Sequence, residues 1–176
     1  MIKSIVLAID GSIHAKHAQT MAIDLAAKYD AQLTLVHVLT RDHPSTEFAR
    51  MAEVEHLTDS RQPVSSEKEN TYSAVARFLG STSDSKDAKE ARIIVLLGEQ
   101  IIDKASKSAR KAGVKNINAE MLTGDYANGI LEVAKKVDAD VIVMGRRGLS
   151  NLKGLVTGSV SHKVSQRAEC SVFTVK

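Results

Sequence analysis

Val141-Ile142-Val143-Met144-Gly145-Arg146-Arg147-Gly148-Leu149-Ser150-Asn151-Leu152-Lys153-Gly154-Leu155-Val156-Thr157-Gly158-Ser159 decides how this chain is read. It opens on an uninterrupted apolar run, passes through a glycine-bearing polar loop, and leads into a helical pattern that ends near Arg167. A short continuous apolar run marks a strand buried on both faces. A strand, a loop and a helix start, in that order, make an anion-binding arrangement. N–H groups of the loop and of the first helical turn lack internal partners, and the helix dipole favours negative charge beside them. Gly145, Gly148 and Gly158 carry no side chain to hold a polyphosphate off that backbone. Ser159 adds a hydroxyl donor, and Arg146, Arg147 and Lys153 add positive charge. Glycines in a loop can equally serve only to turn the chain, so context and spacing carry the weight.

Working outward, Ile5-Val6-Leu7-Ala8-Ile9 is a second continuous apolar run, and Asp10-Gly11-Ser12 then turns the chain. Either Asp10 or Ser12 can cap the helix that follows. Ala18, Met21, Ala22, Leu25 and Tyr29 recur at helical spacing, predicting a helix from Ile13 to Tyr29. Leu33 to Val38 reads as the next strand, and strand–helix–strand in so short a span indicates a right-handed parallel crossover. Ile94, Leu97, Ile101, Ala105, Ala109 and Ala112 predict a long helix from near Lys86 to Ala112, ended by Gly113. Gly98 inside it costs roughly 1 kcal/mol against alanine, and Ile93 to Leu97 also fits a short strand. Ile117, Ala119 and Met121 alternate with Asn118 and Glu120, as in a half-exposed edge strand. Asp125 can cap a helix whose stripe is Ile130, Val133, Ala134 and Val137. Val156, Val160 and Val164 form the stripe of a last helix, and Val172 to Val175 a last strand. Strands alternating with helices in this way predict an open parallel α/β sheet of five strands.

The region from Leu39 to about Ser85 breaks the pattern. It holds both prolines, Pro44 and Pro63, and polar stretches at Thr58 to Asn70 and Ser81 to Lys89. Short amphipathic patterns occur at Phe48 to Leu57 and Tyr72 to Leu79. A structureless loop of this length is unusual inside a compact domain. A mostly helical, partly mobile insertion at about 40–85 is therefore expected within a single domain spanning 1–176.

Composition narrows the function classes. A chain of 176 residues with 43% hydrophobic and 26% charged content can bury one proper core. Aromatic content of 3%, with no Trp, makes that core aliphatic and leaves little for stacking on exposed bases. The net charge of +3 comes from basic residues interleaved with acids, not from the clustered stripe of a nucleic-acid face. Cys170, the single cysteine, excludes an internal disulfide and reads as a small hydrophobe ahead of the last strand. His14 and His17 share a helical face, but no acidic or cysteine partner completes a metal site; His37 reads as a core histidine. No apolar run approaches the ~20 residues that span a bilayer, and no leader pattern opens the chain. A cytoplasmic protein with neither membrane nor nucleic-acid partner is expected.

Gly145, two residues, Gly148, nine residues, then Gly158-Ser159 resembles the nucleotide-binding signature of the universal stress protein family. Its ATP-binding members carry G-x2-G-x9-G-[S/T], and every fixed position is filled here. The resemblance extends to Ile5 through Ser12, to Gly124-Asp125 ahead of a helix, and to Asp138 through Gly145, but not to the middle of the chain. It implies a Rossmann-like sheet of order 3-2-1-4-5 with helices on both faces. Strands one and four are then neighbours from which the chain runs outward both ways, the switch point at which open α/β sheets bind ligands. By this resemblance Gly145, Gly148, Gly158 and Ser159 bind ribose and phosphates, mainly through backbone N–H groups and the serine hydroxyl. Asp10 lies near the ribose and phosphates, a role that can coexist with helix capping. Val38 reads the adenine edge through its backbone, and Ile9, Met144 and Val160 supply apolar walls. Arg147, like Arg146, either partners the outer phosphates or faces solvent.

The implied cofactor is ATP, ADP or AMP, with or without Mg²⁺, and the implied role is regulatory, through nucleotide-dependent contacts in a stress response. The family also implies a homodimer through Val172 to Val175, because an edge strand leaves backbone groups unpaired; the alternative is an edge protected by the insertion at 40–85. Ser171 stands where a proline often precedes the last strand in the family. Two other readings stay open. One is a slow ATPase or nucleotidyl-transfer enzyme on the same site, since Mg²⁺ and positive charge can stabilise a transferring phosphate. No general base is evident, there is no GKS or GKT after a strand and no G-x-S-x-G elbow, and no catalytic residue is assigned. The other is a nucleotide-independent interaction module, as in family members without the glycine signature.

Overall fold

The computed structural model describes residues 1–39, 86–149 and 158–176, with side chains from 94 onward in the second helix. The expected insertion at 40–85 and Val156 of the expected last-helix stripe lie outside the described residues. In chain order the elements are β1 (Ser4–Ala8), α1 (Ile13–Tyr29), β2 (Gln32–Leu39), α2 (Lys86–Lys111), β3 (Ile117–Thr123), α3 (Tyr126–Lys136), β4 (Val141–Gly145), α4 (Ser159–Arg167) and β5 (Ser171–Val175). The strands form one five-stranded sheet of order β3-β2-β1-β4-β5, and every pairing is parallel.

Helices cover both faces, which is why the inner strands β1, β2 and β4 are buried along nearly their whole length and largely apolar. Successive residues of a strand point to opposite faces. Ile5, Leu7, Leu33, Leu35, Val141 and Val143 accordingly pack with α1 and α2. Val6, Ala8, Val36, Val38, Ile142 and Met144 pack with α3 and with Val164 of α4. On the α1 side Ala18, Ala22 and Ala26 are buried, short side chains that bring the helix axis close to the sheet.

The run Ile93 to Leu97 is helical, within α2, so the strand alternative fails. Its buried members Val95 and Leu97 help seat the helix, Val95 against Leu39 at the end of β2. Helix ends follow capping chemistry. Ser12 caps α1, its Oγ accepting from Ala15 N at 3.2 Å, while Asp10 Oδ1 accepts from Ser12 N at 2.9 Å. Asp125 caps α3, accepting from Asn128 N at 2.9 Å, and that bond holds its carboxyl below the usual carboxylate range. Gly113, at φ +90°, lets the chain leave α2 in a left-handed turn.

β3 does not show the clean alternation expected of it. Glu120 is half-buried beneath an ion pair with Lys136 at 2.7 Å, whereas Ala119 is exposed. The strand lies at a sheet edge with α2 and α3 each partly covering a face, so neither face is wholly wet or dry.

Candidate functional site

Ala8 pairs with Met144 where β1 and β4 end. From there the chain turns through Asp10-Gly11-Ser12 into α1, and from Arg146 toward α4. Two neighbouring strands that hand the chain to opposite sides leave a crevice beyond their ends. Its volume is about 550 Å³, within the ~300–1,000 Å³ of small-molecule sites. The eleven residues that the family resemblance assigns to the site, Arg146 among them, all line it, while Lys153 lies outside the described residues. The lining combines the apolar side chains of Ile9, Val38 and Met144 with Asp10, Arg147 and Gly148 of the two loops and with Gly145, Gly158, Ser159 and Val160 around the start of α4.

The three signature glycines do not share one purpose. A Cβ on Gly145 would lie 2.9 Å from both Ala15 N and His14 C, so this glycine seats the start of α1 against β4. On Gly148 it would lie 2.6 Å from Asp10 Oδ2, which places the loop directly against that carboxylate. On Gly158 it would lie 3.1 Å from Arg146 O, the carbonyl that accepts from Gly158 N at 2.9 Å. Gly145 thus carries a packing constraint in addition to lining the crevice.

Arg146 is the backbone hub of the α4 side. Its N–H donates to Val175 O at 2.7 Å, and its carbonyl lies 2.8 Å from Ser161 Oγ. Ser161, buried at 2% exposure, lies 3.0 Å from Gly158 O as well, so one hydroxyl ties the first turn of α4 to the end of β4. Ser159 is exposed at the first position of α4, and the cap, Gly158, offers no side-chain hydrogen bond to the first-turn N–H groups. Those donors stand ready for an anion. Arg146 Nε is buried without a hydrogen-bond partner among the described residues, a cationic donor at the crevice wall that an anion would satisfy.

His37 also lines the crevice; it is 1% exposed, and its Nδ1–H donates to Ile9 O at 2.7 Å. Burial pushes its pKa below the ordinary value, so the ring is neutral. Sequence reasoning placed His37 in the core but missed its contact with Ile9. It also missed Tyr126 and Ile130, which bring α3 to the crevice, and Ser161. The Gly124-Asp125 turn ahead of α3 was the available signal for the first two.

Other candidates lie elsewhere. His17 Nδ1 lies 2.6 Å from Lys176 O, and His162 is exposed on α4. Among the described residues no group of three or more His, Cys, Asp or Glu side chains could hold a metal ion. Cys170 is half-buried beside the α3-side core, and burial pushes its thiol up. No helix among the described residues is long and apolar enough to cross a membrane.

The profile of the universal stress protein family matches residues 1–176. Universal stress protein YxiE of Bacillus subtilis is 31% identical over 182 aligned residues, covering 100% of both chains. Universal stress protein MJ0531 of Methanocaldococcus jannaschii is 29% identical over 176 residues, covering 100% of this chain and 83% of its own. Among solved structures, universal stress protein UspA from Lactobacillus plantarum superposes with a TM-score of 0.71 at 18% identity, covering 99% and 98% of the two chains. A universal stress protein in complex with cAMP gives 0.63 at 22% identity over 99% and 97%. A family protein from Arabidopsis thaliana with AMP bound gives 0.57 at 20% identity over 99% and 90%. At these identities the structural likeness concerns the fold.

Proposed function

The chain belongs to the universal stress protein family, and on that premise we propose that its crevice binds an adenine nucleotide, ATP foremost, whose occupancy regulates contacts with a protein partner. One observation carries the reading: the glycine signature, Asp10 and Val38, far apart in sequence, converge on a single crevice at the switch point. Bound cAMP and AMP in relatives of the same fold support it. The residues fit the ligand in kind. The apolar side chains of Ile9, Val38 and Met144 suit a base, and Asp10 suits the ribose hydroxyls. The uncapped first turn of α4 with Ser159, Arg146 and Arg147 suits phosphates. Mg²⁺ accompanying ATP would be held chiefly by the phosphates, with Asp10 the one carboxylate among the described lining residues.

Three further elements belong to the same reading. The chain acts as one domain in the cytoplasm, residues 40–85 being an insertion in it. The free edge of β5 pairs with its two-fold mate in a homodimer. The regulatory role needs no catalytic residue, only a difference in partner affinity between the two states of occupancy.

Mass spectrometry of small molecules released by heat denaturation of the purified protein tests the ligand class. An adenine nucleotide is expected in near-stoichiometric amount, or after loading with ATP. Protein that releases none and cannot be loaded contradicts the reading.

A further inference from the structure

Backbone groups of β2 alternate between its two neighbours. Leu39 O accepts from Gly124 N on the β3 side, and Val36 O accepts from Ile9 N on the β1 side, both at 2.9 Å. Val38, one step before Leu39, therefore aims its N–H toward the end of β1. In a regular parallel ladder its acceptor there would be the Ile9 carbonyl. That carbonyl instead accepts from His37 Nδ1–H at 2.7 Å. Among the described residues no backbone carbonyl accepts from Val38 N–H, and Val38 lines the crevice.

We propose that His37 is a positioning residue that sets base selectivity: by occupying the Ile9 carbonyl, its ring stops the β1–β2 ladder one step early and leaves Val38 N–H free to donate to an acceptor nitrogen on the base. The inference rests on the nucleotide-binding reading and names what decides the base. Adenine presents N1 as a bare acceptor. Hypoxanthine and guanine carry N1–H there, and a second donor facing Val38 N–H leaves both unsatisfied.

Two features separate this role from that of a space-filling core residue. A carbonyl can only accept, so Nδ1 carries the proton, while Nε2 is buried without a hydrogen-bond partner among the described residues. An aliphatic side chain would fill the volume without the cost of burying that nitrogen. Second, α2 carries Gly98 where the ring needs room. A Cβ there would stand 2.9 Å from His37 Cδ2, 3.2 Å from Nε2 and 3.0 Å from Met121 Sδ. A mid-helix glycine is unfavourable in itself, and its position is explained by the ring it admits.

The test compares AMP with IMP by calorimetry on wild type, His37→Leu and His37→Asn. The asparagine amide can place a donor where Nδ1–H stands; leucine cannot. Wild type is expected to prefer AMP by roughly ten-fold or more, the scale of one unsatisfied buried donor. His37→Leu is expected to lose the preference by weakening AMP while IMP changes little, and His37→Asn to restore it. A second measurement needs no variant: in nucleotide-free wild type the Val38 amide should exchange with solvent far faster than the Val36 amide. Equal protection of the two overturns the proposal, as does a folded His37→Leu that keeps the wild-type preference. Either result leaves nucleotide binding standing, whereas a wild type that binds neither nucleotide overturns the underlying reading as well.

Discussion

A Cβ on Gly148 would meet only the tip of the Asp10 side chain, whereas one on Gly145 would meet backbone atoms of α1 at 2.9 Å. Neither glycine sits in the left-handed region, so space is the constraint at both. A carboxylate can swing aside; a helix start cannot. Gly148→Val is therefore expected to leave the melting temperature nearly unchanged, because the position is exposed, yet to abolish nucleotide binding by displacing Asp10 and crowding the loop. Gly145→Ala is expected to destabilise the fold by about 1–3 kcal/mol, as overpacking does. Thermal melts beside nucleotide titrations check the pair, and equal melting temperatures for the two variants would contradict the assignment. The signature's spacing pointed to all three glycines but could not sort them. Their different duties arise from Ala15, Asp10 and Arg146, contacts that spacing does not encode.

At the scale of elements, β5 pairs among the described residues with β4 on one side only, and Phe173 is 40% exposed. Ser171 N donates to Asp140 O and Val175 O accepts from Arg146 N, so odd-numbered residues bond inward. Val172 and Thr174 aim their N–H groups outward, ready for a second strand. Thr174→Pro removes one outward donor without touching the β4 ladder. Light scattering is expected to return twice 19.0 kDa for the intact chain and 19.0 kDa for the variant. A monomeric wild type at micromolar concentration contradicts the dimer. Most elements were legible from periodicity, because alternate burial and helical stripes follow directly from two-sided coverage of the sheet. The run Ile93 to Leu97 was ambiguous, since five apolar residues suit a buried helix face as well as a strand. Packing of Val95 on Leu39 settles it, and that contact joins residues distant in sequence. β3 misled for a related reason, its faces being only partly covered by α2 and α3.

For the whole molecule, alternating strands and helices pointed to a parallel sheet, while the order β3-β2-β1-β4-β5 was expected from the family resemblance. That order turns a set of motifs into a site, because it sets Asp10 beside Gly145 and brings Val38 within reach of both. The α3 wall, Tyr126 and Ile130, was signalled only by the Gly124-Asp125 turn ahead of that helix. Its approach to the crevice depends on how α3 packs on Val38, where a Cβ on Gly129 would stand only 3.0 Å from Val38 Cγ2. Adenine-nucleotide binding in this crevice is the proposal on which the others depend. Its most direct test is calorimetric titration of the nucleotide-free chain with AMP and with ATP plus Mg²⁺, up to about millimolar, at two temperatures so that a vanishing enthalpy cannot hide binding. Saturable binding at one site per chain is the result expected, and no binding of either nucleotide at either temperature would contradict the account.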